Sequence, residues 1–417
     1  MMKAALTACA AQAKARMDML PEGWRETTLN NILEKIIDYR GKSVPKSTAG
    51  IQLITAKNIK FGFLDFTDKE FISEDSYADW AVRGIPKLGD ILFTTEAPLG
   101  NVCKYPEFGQ YVIGQRVLCL RPKINSDLLF HILLSEDTQN KIKISATGST
   151  ALGIKSSELK KISICYPEKE YEQEKIAAIL STWDKAISTT DALLANSRQQ
   201  KKALMQQLLT GKRRLPGFTG EWKTILLSDI AVRLNERNNG KSDNVVTISA
   251  QKGLIRQEEF FNKSIASENL DTYFILHKGQ FAYNKSYSIG YPMGAIKRLK
   301  LYETGVVTSL YICFDITSMQ ADANFYEHFF ESGLLNAALT KIAAEGGRAH
   351  GLLNVRPADF MHISVPLPPL DEQRAIAAVL DAADREIVLL EQKAARLREE
   401  KKALMQQLLT GKRRVRL

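Results

Sequence analysis

Two Gly-Lys-Ser triplets, Gly41–Ser43 and Gly240–Ser242, are the first residues whose types suggest chemistry, because a chain that turns at glycine beside lysine can cradle phosphate. A nucleotide-binding loop also needs a glycine five positions before the triplet glycine, and Ile36 and Asn235 stand there instead. Neither triplet qualifies. The carboxylate pairs Glu258–Glu259 and Glu399–Glu400 are sequence neighbours and read as surface charge. His350 sits beside Gly346, Gly347 and Gly351 with no second histidine or acid at ligand spacing. The five cysteines, Cys9, Cys103, Cys119, Cys165 and Cys313, form no CxxC pair, so no metal knuckle or disulfide framework is suggested, and scattered thiols fit a reducing compartment. The chain contains no GxSxG elbow and no HExxH helix. At Leu367–Leu370 it reads Leu-Pro-Pro-Leu where a methyltransferase would carry Asn-Pro-Pro-aromatic. The residues point to a protein without catalytic, cofactor or metal sites of its own.

The organisation of the chain is more informative. At 417 residues it exceeds one ordinary core and suits two domains. KKALMQQLLTGKRR stands at Lys201–Arg214 and again, unchanged, at Lys401–Arg414, and Tyr171–Arg214 matches Asp371–Arg414 at 24 of 44 positions. Each copy of the fourteen-residue phrase carries five basic residues and no acid, so the two copies account for the whole net charge of +10. The rest of the chain is neutral, and any anion-binding face must come from local asymmetry.

The order of elements repeats as well. A Trp-led segment (Leu20, Leu215), a Gly-Lys-Ser loop, β-rich stretches, a helical stretch and a Gly-bearing loop precede a short strand that meets proline before each long helix. The β-rich stretches are Gly89–Thr95 and Tyr111–Leu120, then Gln280–Lys285 and Val306–Asp315. The helical stretches are Asp127–Ser145 and Asn324–Ala344.

Those long helices explain the repeat. In the first, Ile176, Leu180, Trp183, Ile187, Leu194, Leu204 and Leu208 fall on one stripe, weakened at Thr190, Ser197 and Lys201. In the second, Ile376, Leu380, Ile387, Leu390, Leu397, Leu404 and Leu408 do the same, interrupted by Lys401. Asp371 is the expected N-cap, and Gly211 and Gly411 the expected helix ends. About 38 residues make about 57 Å of helix, longer than a domain of this size, so each stripe must find the other. The expected fold is α+β: two similar mixed α/β domains linked by two long helices that form an antiparallel coiled coil, with pseudo-twofold symmetry. The expected boundaries are an N-terminal extension at 1–20, domains at 21–167 and 213–367, and helices at 168–212 and 368–414. The opening MMKAALTACAAQAKARMDML has a cleavage-like Leu6-Thr7-Ala8-Cys9 but too short an apolar run for a secretory signal, and no run reaches a membrane span, so a cytoplasmic protein is expected.

Four features resemble the specificity subunit of type I restriction–modification systems. They are the opening motifs LPEGW and LPGFTGEW, the phrases CYPEKEYEQEKIAAIL and VPLPPLDEQRAIAAVL, KKALMQQLLTGKR closing each helix, and the Gly-Asp-Ile-Leu-Phe strand at Gly89–Phe93. The match runs from Leu20 to Arg414. It implies that each globular region is a target recognition domain reading half of a bipartite double-stranded DNA site, and that the helices set the spacer and dock two modification subunits. It implies further that S-adenosylmethionine, ATP and Mg belong to partner subunits, among them restriction subunits with translocase and nuclease activity. YNKSYSIGYPMG replaces FTTEAPLG in the second half, so the two half-sites are expected to differ. The rival reading is a non-catalytic coiled-coil scaffold without sequence-specific DNA binding.

DNA contacts call for donor side chains near glycine or turn residues. In the first half these are Arg40, Lys42 and Ser43, then Lys57, Asn58 and Lys60, then Thr94, Thr95 and Arg116, and finally Thr147 and Ser149. In the second half they are Arg237, Asn238 and Lys241, then Lys252, Asn284, Lys285, Ser286 and Tyr287, with Arg348 and His350.

Overall fold

The computed structural model describes residues 20–148, 151–249, 252–261, 270–288, 290–343 and 353–415. Ser149, Arg348, His350 and nearly all of the 1–20 extension lie outside the described residues. The chain divides into two compact units, Met1–Asp191 with Lys393–Leu417, and Ala192–Gln392.

In the first unit an antiparallel sheet runs Leu33–Asp38, Val117–Pro122, Ile91–Thr94 and Val102–Lys104. Alternation decides which core each side chain enters. Ile91 and Phe93 point into a core shared with the helices, whereas Leu92 joins Cys103 and Cys119 in a core on the opposite face. That second core is closed by a smaller sheet, Lys46–Ser47, Glu70–Ile72, Ile51–Ile54 and Tyr111–Ile113, whose last pairing is parallel. With both faces covered, Ile91–Thr94 is buried at every position.

The second unit is built likewise, with Ala231–Leu234, Ile312–Ile316, Phe281–Asn284 and Ala295–Arg298 in one antiparallel sheet. Phe281 and Phe314 face the helical core, where Phe330 of the helix Ala323–Glu331 meets both rings edge-on at 5.6 Å. Ala282 and Cys313 face the other way. The expected continuous helical stretches are each broken in two. Ser135 leaves the helical region and caps Glu136–Ile144 by accepting from the Thr138 amide. Gly333, at φ 75°, interrupts the second stretch.

The long helices are Glu170–Leu208 and Leu370–Leu408, each 39 residues. Asp371 is inside the first turn of the second, because the Gln373 amide already donates to Pro369. Their apolar stripes meet within each unit. Ile176 and Leu180 share the first unit's core with Met405 and Leu408, and Ile376 and Leu380 share the second unit's core with Met205 and Leu208. All fourteen stripe residues are buried or half-buried.

Ion pairs fix the antiparallel register. In the first unit Arg398 binds Asp191 at 2.6 Å, Lys401 binds Asp184, and Arg414 binds Glu172 at 2.7 Å. In the second unit Arg198 binds Glu391, Lys201 binds Asp384 and Arg214 binds Glu372, each at 2.5 Å. Every partner in one set is the residue 200 positions from its counterpart in the other. Lys201 and Lys401, which interrupt the stripes in sequence, are thereby neutralised. The exposed pairs among them, Arg398–Asp191 and Arg198–Glu391, add little stability and contribute alignment, whereas the buried Glu172 and Glu372 depend on their arginines. Gly211 and Gly411, at φ 67° and 70°, end the helices, and a Cβ on Gly411 would stand 2.5 Å from Pro21.

Candidate nucleic-acid interface

The repeated Glu-Gln at the start of each long helix fastens the globular part of each unit to its helices. Glu172 is buried and accepts from the Arg414 guanidinium at 2.7 and 2.8 Å and from Trp24 Nε1 at 3.3 Å. Glu372 accepts from Arg214 at 2.5 and 2.6 Å and from Trp222 Nε1 at 2.9 Å. The adjacent glutamines satisfy loop backbone. Gln173 accepts from the Asn125 amide and donates to Pro167, and Gln373 accepts from the Asp322 amide and donates to Gln320 and Pro368. A buried carboxylate tolerates desolvation only with such complete pairing.

Two histidines reinforce the attachment differently. His131 is fully buried, with Nε2 3.4 Å from Ser181 Oγ. Burial, then the charges of Lys401 and Lys104, push its pKa down to about 3. Asp184 is 3.7 Å from Nδ1, but its charge is spent on Lys401, so the imidazole stays neutral. In the second unit His328 Nε2 is 2.9 Å from Asp381 and Nδ1 3.9 Å from Asp384. These three could form a His-Asp-Asp metal group, with ligand atoms within 4.8 Å, but the Lys201 ammonium already lies against Asp384.

In the first unit the structure brings Arg40, Thr94, Thr95, Arg116 and Thr147 together around the loop 95–101 that joins Ile91–Thr94 to Val102–Lys104. Arg116 crosses to Glu96 at 2.7 Å, and its carbonyl receives the Thr95 amide and hydroxyl. Thr147 pairs with Gly153, and the Ile154 amide donates to Thr95. Arg40 grips Asp38 with Nε at 3.1 Å and Nη2 at 2.7 Å and donates from Nη1 to the Ile154 carbonyl. Burial alone would raise the Asp38 pKa, but the bonds from Arg40 outweigh it and hold the carboxyl below its usual range. Lys42 reaches the Asp79 carbonyl and stacks over Trp80, and Ser43 is exposed. Lys57 is exposed, and Lys60 folds back onto the Lys57 carbonyl at 2.8 Å.

Asn58, Thr94, Thr95 and Asn238 are buried, at 2% exposure or less. Their side chains are committed to internal bonds, Asn58 to Thr55, Asp65 and Asp68 and Asn238 to both backbone groups of Ser242. Sequence alone does not separate an asparagine that closes a turn from one that faces outward. These four shape the surface without lining it.

In the second unit the corresponding loop, 285–294, is three residues longer, and its base is pinned. Tyr283 donates its hydroxyl to the Met293 carbonyl at 2.7 Å, Asn284 Oδ1 accepts from the Ser286 amide, and Lys285 Nζ reaches the Val355 carbonyl. Tyr287 stands 63% exposed just before the turn closed by Ser288 and Tyr291. Arg237 donates to Thr272 and lies over the Phe274 ring, Lys241 is paired with Glu236, and Lys252 is exposed. Arg83, Lys155 and Arg356, which sequence reading did not select, are also exposed donors. Aligning Ile154-Lys155 with Val355-Arg356, each pair just before a short helix, is the signal that would have found the last two.

Comparison with known proteins agrees with this arrangement. The model of the type I restriction modification DNA specificity domain matches residues 21–196 and again 221–399. A putative type I restriction enzyme MjaX specificity subunit of Methanocaldococcus jannaschii is 25% identical over 431 residues, covering 96% of each protein. The MjaVIII specificity subunit of the same organism is 26% identical over 320 residues, covering 70% of this chain and 72% of that protein. Among solved structures, the type I restriction–modification S subunit from M. genitalium has a similar fold, with TM-score 0.58, 13% identity, and coverage of 93% of this chain and 96% of that one. A chain from a structure describing assembly and conformational transition of the type I R-M system gives TM-score 0.54 at 16% identity, covering 94% and 98%. With the family model spanning both halves, this chain belongs to the type I restriction modification DNA specificity domain family.

Proposed function

We propose that this chain is the non-catalytic specificity subunit of a type I restriction–modification complex, and that each unit reads one half of an asymmetric bipartite DNA site. The observation that carries this is the two pinned hairpin loops, alike in position and different in content, in units otherwise built to one plan. Loop 95–101 presents a Glu96–Arg116 pair, and loop 285–294 presents Tyr287. Side chains of such different hydrogen-bonding character select different base edges in the major groove. The remaining sequence-selected residues serve as contacts around these loops, with phosphate contacts setting position and loop tips setting sequence.

The two helices, each belonging in part to both units, fix the number of unread base pairs and dock two modification subunits. S-adenosylmethionine, ATP and Mg are handled by the modification and restriction partners. None of the described helices is long and apolar enough to cross a membrane, and the complex acts in the cytoplasm, where its DNA is.

The test is the methylome of a strain with and without the gene. Loss of one bipartite adenine-methylated motif on deletion supports the reading, and persistence of every motif overturns it.

A further inference from the structure

We propose that the open cleft between Asp38–Gly41, Arg83 and Lys155–Ser157 in the first unit is a phosphodiester site that holds the backbone of the bound duplex, and that Arg356 makes the equivalent contact in the second unit. The inference rests on the reading that each unit binds double-stranded DNA.

The cleft has a volume of about 640 Å³ and is lined by Asp38, Arg40, Gly41, Arg83, Lys155 and the two serines after it. Its acid is spent, because Arg40 and Asp38 neutralise one another. Arg83 is anchored by donating to the carbonyls of Asp38 at 2.8 Å and Arg40 at 2.9 Å, and it has no carboxylate partner among the described residues. Lys155 is exposed and pairs with no acid among them. The cleft thus carries two uncompensated positive charges, with the exposed Ser157 on its rim and Ser156 bonded to Asp38. Gly41, at φ 80° with open space where a Cβ would be, lets backbone come close. Cationic donors with no apolar side chain among the lining residues suit a phosphate rather than a base edge.

The second unit supplies an independent observation. There Lys285, not an arginine, holds the Val355 carbonyl, as Arg40 holds that of Ile154. In both units the residue after that tethered carbonyl is an exposed cation, Lys155 or Arg356, without an acidic partner among the described residues. The tethers differ and the cation stays, which is what a contact to an unvarying backbone requires.

The experiment uses the full chain in complex with its modification partner. Binding is measured by anisotropy over a range of salt on two duplexes, one carrying the motif read from the methylome and one scrambled. Lys155→Ala, Arg356→Ala and their double variant are compared with Lys155→Arg. The Lys155 side chain has no partner among the described residues, and its carbonyl, which accepts from the Glu158 and Leu159 amides, is kept by alanine, so the substitution leaves the fold intact, and circular dichroism checks this. The double variant is expected to weaken both duplexes by a similar factor, about tenfold or more. Its slope of log affinity against log salt is expected to fall by about one for each cation removed, with the methylated motif unchanged. Lys155→Arg keeps the parental slope. A parental slope in the double variant overturns the proposal, as does weakening confined to the motif duplex. If the unaltered complex binds both duplexes equally, the half-site reading fails instead, and the slope still decides the phosphate site.

Discussion

Lowering the pH should loosen the first unit through His131. An unfolded histidine takes up its proton near pH 6.5, whereas in the folded unit burial and the nearby Lys401 and Lys104 hold that event down to about pH 3. Between those values the unfolded chain binds one more proton than the folded one, so stability rises with pH across the window. The contribution is fully present above about pH 6.5 and drains away as pH falls toward 3. Each unit of pH inside the window is worth about 1.4 kcal/mol, so at pH 4.5 the first unit should have lost about 3 kcal/mol through this one side chain. Hydrogen exchange read peptide by peptide, corrected for intrinsic rates, is the suitable assay because it reports each unit separately. Protection of Ser126–Leu134 should fall by about two orders of magnitude between pH 6.5 and 4.5 in the parent. In His131→Leu the same helix should show a much flatter dependence. If parent and variant lose protection in parallel, the neutral buried imidazole is the wrong account of this site.

Two further outcomes follow from the helices. Leu380 is fully buried and Leu389 is 64% exposed, so Leu380→Asp should cost several kcal/mol and abolish recovery of the modification complex, whereas Leu389→Asp should cost under about 1 kcal/mol; co-purification and thermal midpoint check both. A fragment ending at Arg214 keeps Lys201, Arg198 and Arg214, identical to the Lys401, Arg398 and Arg414 that pair with the first unit, so it should form a symmetric dimer at micromolar concentration in light scattering.

What could be read from sequence is what obeys a period. The stripes of Ile176 and Ile376 onward, the glycines at 211 and 411 and the duplicated phrase leave one economical fold, and the structure has it. Element type was also legible for Gly89–Thr95 and Gln280–Lys285, since β-branched and aromatic residues buried on both faces leave little choice. The breaks were not. Ser135 and Gly333 sit within helical patterns, and only the fold decides that the chain turns there. The surface was least legible, because a polar residue near glycine serves a turn as readily as a ligand. Asn58 and Asn238 turned inward, and Lys155 and Arg356 became visible only once the two halves could be laid over each other.

The closing contacts of the two units carry a topological consequence. In the second, Arg214 reaches Gly220 and Gly211 lies against Trp222 along a continuous stretch of chain. In the first, Arg414 reaches Glu22 and Gly411 lies against Pro21 and Trp24, with no peptide link between the segments. The same joint is tied by covalent bonds in one place and by side chains alone in the other. A chain opened after Arg214, with its far end joined to Leu20 through a short linker, is therefore expected to keep both joints, because each is held by the same kinds of arginine, glycine and tryptophan contact.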